Sequence, residues 1–281
     1  GGESPPWWRS SSAPASWSGA LPEVAAAVRW HDTAGAVAWG ELALRGTGEA
    51  RRTGVVLVLV DPRRVSLRLD LPTTDPAAAG GWLGSSRWSI AAAPAQALLA
   101  LNAGQFTAAG AWGWLVRDGR ELQPPQPGPL APAVVVDATG RLHVVPAARI
   151  DSVRRAPGVV LAFQSYPALL QGGRVPAPLQ RGGCGVDVAH RDARLAIGTR
   201  PDGRILIALT RFEGLGGALD LLPLGLTTPE MAALMGALGC RDAVLLDGGV
   251  SGQLLLRDPA GVAHQWPGMR RVPLGLLAES R

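Results

Sequence analysis

The chain has 281 residues, 47% of them hydrophobic, which is enough for a substantial folded core. Its formal charge is +5, and the 27 basic residues are all Arg, spread without a long basic run. That argues against a nucleic-acid-binding face, and no apolar run reaches the ~18 residues of a membrane helix. Arg pairs bidentately with phosphate and carboxylate, so the excess would suit an anionic substrate. The accompanying richness in Ala, Gly and Pro favours a general composition bias instead. The two cysteines, Cys184 and Cys240, lie in no metal-type spacing. They read as free thiols, with a single disulfide as the alternative, and neither a metal nor a cofactor is expected.

In chain order, residues 1–20 are rich in Ser, Pro, Ala and Trp and read as a flexible lead-in. Trp7, Trp8 and Trp17 there read as tail residues at loose ends, with docking on the domain or on a partner as the alternative. Structure is expected from about Val24, with one or two strands over 24–44. Residues 55–60 are a continuous apolar run, the pattern of a buried strand, and residues 65–69 alternate as a half-buried strand does. With the Asp61-Pro62-Arg63-Arg64 turn between them, the two predict a hairpin. Residues 71–88 are loop-like, and 89–97 predict a short helix that Pro94 delays or breaks. A short apolar run at 98–101 ends at Asn102.

Further hairpins are predicted around Arg117-Asp118-Gly119, Asp137-Ala138-Thr139-Gly140, Arg200-Pro201-Asp202-Gly203 and Asp258-Pro259-Ala260-Gly261. Residues 159–163 predict one more strand. Thr227 and Glu230 form a capping box with Pro229 in the first turn, so a helix starts there. Met231, Leu234, Met235 and Leu238 give it an apolar face, and Gly239 stops it. Residues 243–246 are a buried strand that ends at Asp247-Gly248-Gly249-Val250-Ser251. The whole reads as α+β: a large, mostly antiparallel sheet built from hairpins with a few packed helices, in one domain over 21–281.

A carboxylate ending a buried strand must be paired or reach a cleft, although an Asp-Gly turn is the simpler reading of that segment. Three segments, in order, resemble the phosphodiester glycosidase family. They are Asn102-Ala103-Gly104-Gln105-Phe106, then Arg194-Leu195-Ala196-Ile197-Gly198, then Gly225-Leu226-Thr227 running into Leu246-Asp247-Gly248-Gly249-Val250-Ser251. The likeness spans roughly residues 24–275. Ala103, Gln105, Leu195 and Val250 depart from the pattern, standing where the family has Gly, Phe, Thr and Gly.

The resemblance implies a hydrolase cleaving a sugar–phosphate glycosidic bond. Such chemistry needs a carboxylate at the oxocarbenium-like centre, a cation on the phosphodiester and neutral partners for hydroxyls. Asp247 is the expected catalytic carboxylate, with Glu213 as a second and Asp187 and Asp192 as alternatives to it. Arg194 is expected on the phosphate. Asn102, Gly104, Gly248, Gly249 and Ser251 complete the expected substrate-binding set. His143, His190 and His264 have no partner spacing and read as surface or satisfied histidines.

The implied substrate is a sugar 1-phosphodiester in an envelope or exopolysaccharide glycan. The resemblance and the missing start Met together suggest an exported protein. The oligomeric state is left open. The motif departures keep a second reading in play, a glycan-binding or structural protein that has lost the chemistry. In that case bulky residues such as Gln105, Leu195 or Val250 would fill the cleft, or an open Trp-lined groove would stand in its place. A third reading, an Arg-rich polyanion binder, would put a basic face away from these motifs.

Overall fold

A computed structural model describes residues 14–44, 53–72, 87–108, 110–212 and 225–281. Among them every strand pairing is antiparallel. Three sheets carry the fold. The seven-stranded sheet runs, in spatial order, Arg29–Asp32, Val37–Leu44, Thr53–Val60, Ile205–Phe212, Leu195–Thr199, Asp242–Leu246 and Ala168–Leu170. One five-stranded sheet holds Leu142–Val145, Ala133–Asp137, Val159–Gln164, Leu115–Arg117 and Arg120–Gln123. The other holds Ala263–Trp266, Leu254–Arg257, Ala97–Asn102, Gly275–Ser280 and Val65–Asp70. The predicted α+β class, dominated by antiparallel strands, is the observed one.

Alternation along the central strands sorts side chains into two layers. Leu195, Ile197, Val244 and Leu246 face the two five-stranded sheets, in a core shared with Leu101, Val134 and Phe163. Ala196, Ala208, Ala243 and Leu245 face the helix Thr228–Ala237. Small residues on that side let the helix lie close. All ten of its residues are buried, so the expected apolar face extends around the whole helix. Its capping box forms as the sequence indicates: Thr227 Oγ1 accepts from the Glu230 amide, and Glu230 Oε2 accepts from the Thr227 amide.

Two expectations change. Thr53–Val60 and Val65–Asp70 do not pair with each other. The first lies between Val37–Leu44 and Ile205–Phe212, and the second pairs with Gly275–Ser280 in another sheet. The turn at Asp61 is therefore a crossing between layers. Trp17 is no loose tail residue: it is buried, its amide donates to Gly173 O at 2.7 Å, and its indole lies against Gly236 of the helix. A Cβ on Gly236 would meet the ring at 2.4 Å, so glycine there makes the groove for the indole.

The other hairpins form at the turns read from sequence. The short helix near Pro94 is a single 3-10 turn, Ile90–Ala92. A six-residue helix, Pro22–Ala27, precedes the two strands expected before Leu44. Both cysteines are free, Cys184 exposed and Cys240 buried.

Candidate active site

The register of the central strands assembles the site. Leu195 pairs with Leu246, which brings Arg194 and Asp247, each one residue beyond a strand end, to the same edge of the sheet. The backbone between them is drawn in tightly. The Gly249 amide donates to Ala193 O at 2.8 Å, and a Cβ on Gly248 would stand 2.4 Å from that same oxygen. Gly249 has φ +54°, and its missing Cβ would lie 2.8 Å from an Asp192 carboxylate oxygen. The two glycines thus let the Asp247 loop lie directly on residues 192–194.

A cleft of about 260 Å³ opens at this edge. Asp247, Gly248, Gly249, Arg194, Asp192, Asp187, His190, Gln105, Tyr166 and Thr228 are among its walls. Burial pushes the Asp247 carboxyl above the ordinary carboxylate range, and the nearby Asp192 charge adds to the rise. The Ser251 side chain and the Arg270 charge act in the opposite direction. Ser251 itself is 2% exposed and is not among the cleft walls.

Arg194 is fixed by its own backbone and by its fork. Its amide donates to Thr210 Oγ1 at 2.7 Å, Nε donates to Leu226 O at 2.9 Å, and Nη2 donates to His190 O at 2.6 Å. Burial lowers its pKa, and the charges of Asp192, Asp187 and Glu230 counter the effect. The neighbouring Arg191 makes a two-pronged ion pair with the buried Glu230 carboxylate, at 2.8 and 2.9 Å. That pair ties residues 187–194 to the start of Thr228–Ala237, whose N-terminal residue Thr228 reaches the cleft. The positive end of the helix dipole therefore lies beside a site that also carries Arg194, a setting that favours an anion.

Asn102 has a different place from the expected one. It is 1% exposed, its Nδ2 donates to Asp247 O at 2.8 Å, and its Oδ1 accepts from the Gln253 amide at 3.0 Å. The carboxamide thus ties the Asp247 loop to the Gln253 backbone, and Asn102 is not among the cleft walls. Gly104 is also outside the cleft walls; φ +73° there turns the chain so that Gln105 enters them. Gln105 Nε2 donates to Tyr166 O at 3.1 Å. Glu213 lies outside the described residues, whereas its two alternatives, Asp187 and Asp192, both line the cleft.

Sequence reasoning passed over two groups. His190 lines the cleft, with Nε2 3.6 Å from Asp192 Oδ2; a lone His in a polar loop gave no sign of this. Arg270 acts electrostatically on Asp247, and its guanidinium sits 4.8 Å from the centre of the Phe106 ring. Phe106 belongs to a segment singled out in the sequence, but nothing there pointed to Arg270. His143 and His264 each pair with a local Asp away from the cleft. Among the described residues no group of three or more His, Cys, Asp and Glu side chains is placed to hold a metal ion.

Residues 95–278 match the phosphodiester glycosidase family. The fold is similar to that of the zebrafish N-acetylglucosamine-1-phosphodiester alpha-N-acetylglucosaminidase catalytic domain, a structure auto-inhibited by its pro-peptide. The TM-score is 0.63 at 15% identity, covering 98% of each chain. It is also similar to a hypothetical protein from Synechocystis, with a TM-score of 0.54 at 17% identity, covering 88% of this chain and 62% of that one. No curated protein matches the sequence.

Proposed function

Since the chain belongs to the phosphodiester glycosidase family, a family of hydrolases, we propose that it cleaves the bond between a sugar's anomeric carbon and a phosphodiester, with Asp247 as the catalytic carboxylate. The observation that carries this reading is the meeting of Asp247 and Arg194 in one cleft. Arg194, the start of Thr228–Ala237 and Arg270 supply positive potential for the phosphate. Water adds its oxygen to the anomeric carbon and passes a proton to Asp247. The electron pair of the breaking C–O bond leaves with the phosphate, now a monoester on the aglycone. A phosphate is a good leaving group, so a single well-placed carboxylate serves where ordinary glycosides use two. Asp192, with His190 beside it, is the second carboxylate within reach of the same space.

The binding-only reading expected either a cleft filled by the departures from the family pattern or an open Trp-lined groove, and no Trp is among the described cleft walls. Leu195 is fully buried in the core, Val250 points to solvent, and Gln105 is held at the wall by Tyr166. The cleft stays open, which favours turnover. The substrate we propose is a sugar 1-phosphodiester of an envelope or exopolysaccharide glycan, met outside the cytoplasm. Among the described residues no helix is long and apolar enough to cross a membrane.

The test is hydrolysis of a panel of sugar 1-phosphodiesters in ¹⁸O-labelled water. The reading expects a free sugar carrying the label and an unlabelled phosphate monoester. Label on phosphate would mean P–O cleavage, a phosphodiesterase, and would overturn it.

A further inference from the structure

On the far side of Gly249 from Asp247 lies a second hollow of about 250 Å³, which shares Gly249 with the catalytic cleft. Its apolar walls are Leu209, Phe212, Val250, Pro267 and Met269. Val250 is 45% exposed and Met269 64% exposed, two of the few large apolar side chains left at the described surface. They are held side by side by backbone: the Met269 and Arg270 amides both donate to Val250 O, at 2.8 and 3.1 Å. The described lining has no carboxylate. The Thr210 hydroxyl is already engaged by the Arg194 amide, and the Arg211 guanidinium donates to Pro267 O at the rim. The lining is mixed, with the apolar share the larger, so alkyl groups would remove apolar surface from water here.

A phosphodiester has two arms, and the cleft accounts for the sugar and the phosphate. We propose that the trough beyond Gly249 receives the second arm and selects an apolar, alkyl-type aglycone. This rests on the glycosidase reading for its link to catalysis. Val250 stands where the resembled family pattern has Gly, so part of this wall is added by the present chain. The apolar character of the trough is therefore expected to vary with that position.

The test uses binding, so it stands apart from turnover. Octyl phosphate and glycerol phosphate are titrated calorimetrically into the whole protein and into a Val250→Thr/Met269→Gln double variant, two near-isosteric changes outside the catalytic set. Burial of several methylenes in an open trough should make octyl phosphate bind at least ~10-fold tighter than glycerol phosphate. In the double variant the ratio should fall at least ~3-fold, with glycerol phosphate affinity unchanged. Equal affinities in the wild type, or a ratio untouched by the double change, would overturn the proposal. If no sugar 1-phosphodiester is hydrolysed yet the octyl preference and its loss are seen, the glycosidase reading fails and the trough stands. Turnover without any octyl preference would have the reverse meaning.

Discussion

The side-chain amide of Asn102 donates to the main-chain carbonyl of Asp247 at 2.8 Å, joining residues 145 positions apart. Because Oδ1 simultaneously accepts from the Gln253 amide, one buried carboxamide sets the distance between the Asp247 loop and the strand Leu254–Arg257. Asn102→Ala leaves a buried carbonyl and a buried amide unpaired, which costs about 1–3 kcal/mol each. Asn102→Asp keeps the shape but turns an oxygen toward the Asp247 carbonyl. Both variants should lose thermal stability and kcat together. Wild-type turnover by a destabilised Asn102→Ala protein would show that the clamp does not position Asp247.

Arg194 spends Nε and one Nη2 hydrogen on carbonyls of Leu226 and His190, so its fork is held rigid at the cleft wall. If it grips the phosphate, Arg194→Gln should raise KM for a sugar 1-phosphodiester roughly 10–100-fold, the worth of a hydrogen bond to a charged group. Product inhibition by the phosphate monoester should weaken in parallel. Unchanged KM and unchanged inhibition would assign the phosphate to another cation, with Arg270 the next to substitute.

Glu230 has two duties. It closes the capping box on Thr227 and takes both prongs of Arg191 while only 3% exposed. Removing one partner of a buried pair strands the other charge. Glu230→Ala should therefore destabilise the fold by about 3 kcal/mol, read as a lower denaturant midpoint. Arg191→Ala should destabilise at least comparably, because it leaves the buried Glu230 carboxylate, 3% exposed, without this cation. A Glu230→Ala protein of wild-type stability would mean the pair contributes only geometry.

Asp247 carries a pH signature whose sign follows from its surroundings. Burial is the largest influence and raises its folded-state pKa above the ordinary value. The folded chain then holds a proton that the unfolded chain has released. Stability at this residue is greatest below the ordinary carboxylate range and falls as pH rises through the raised pKa. At neutral pH the ionised, buried carboxylate is a net penalty. Asp247→Asn, which removes the charge and keeps the shape, should melt at the same temperature or higher than the wild type near pH 7, with the gap closing in acid. A lower melting temperature at pH 7 would show that the pairing with Ser251 and Arg270 outweighs burial.

Much of this architecture was legible from local signals. Turn residues marked the hairpins, and the Thr227–Glu230 box fixed the start of the long helix. The apolar run ending at Asp247 marked a buried strand whose last carboxylate needed a cleft. Sheet membership was not legible: Thr53–Val60 and Val65–Asp70 look like hairpin partners because a strand's pattern records burial, not its neighbour. Trp17 was misread because its binding groove is made by the absence of a side chain at Gly236. Asn102 was placed in the right neighbourhood, but its bonds to the Asp247 and Gln253 backbone were not legible, since a motif Asn looks the same whether it bonds a ligand or a backbone. His190 and Arg270 left no trace, because each gains its meaning from groups distant in sequence.

The decisive measurement is kcat/KM for a sugar 1-phosphodiester that the wild type hydrolyses, compared between wild type and Asp247→Asn, with folding of both confirmed by thermal melting at the same pH. A folded Asp247→Asn protein should lose about 10³-fold or more in kcat/KM, within the span attributed to a positioned acid–base group. A folded variant that retains wild-type kcat/KM would contradict the account and move the chemistry to Asp192 and its neighbour His190.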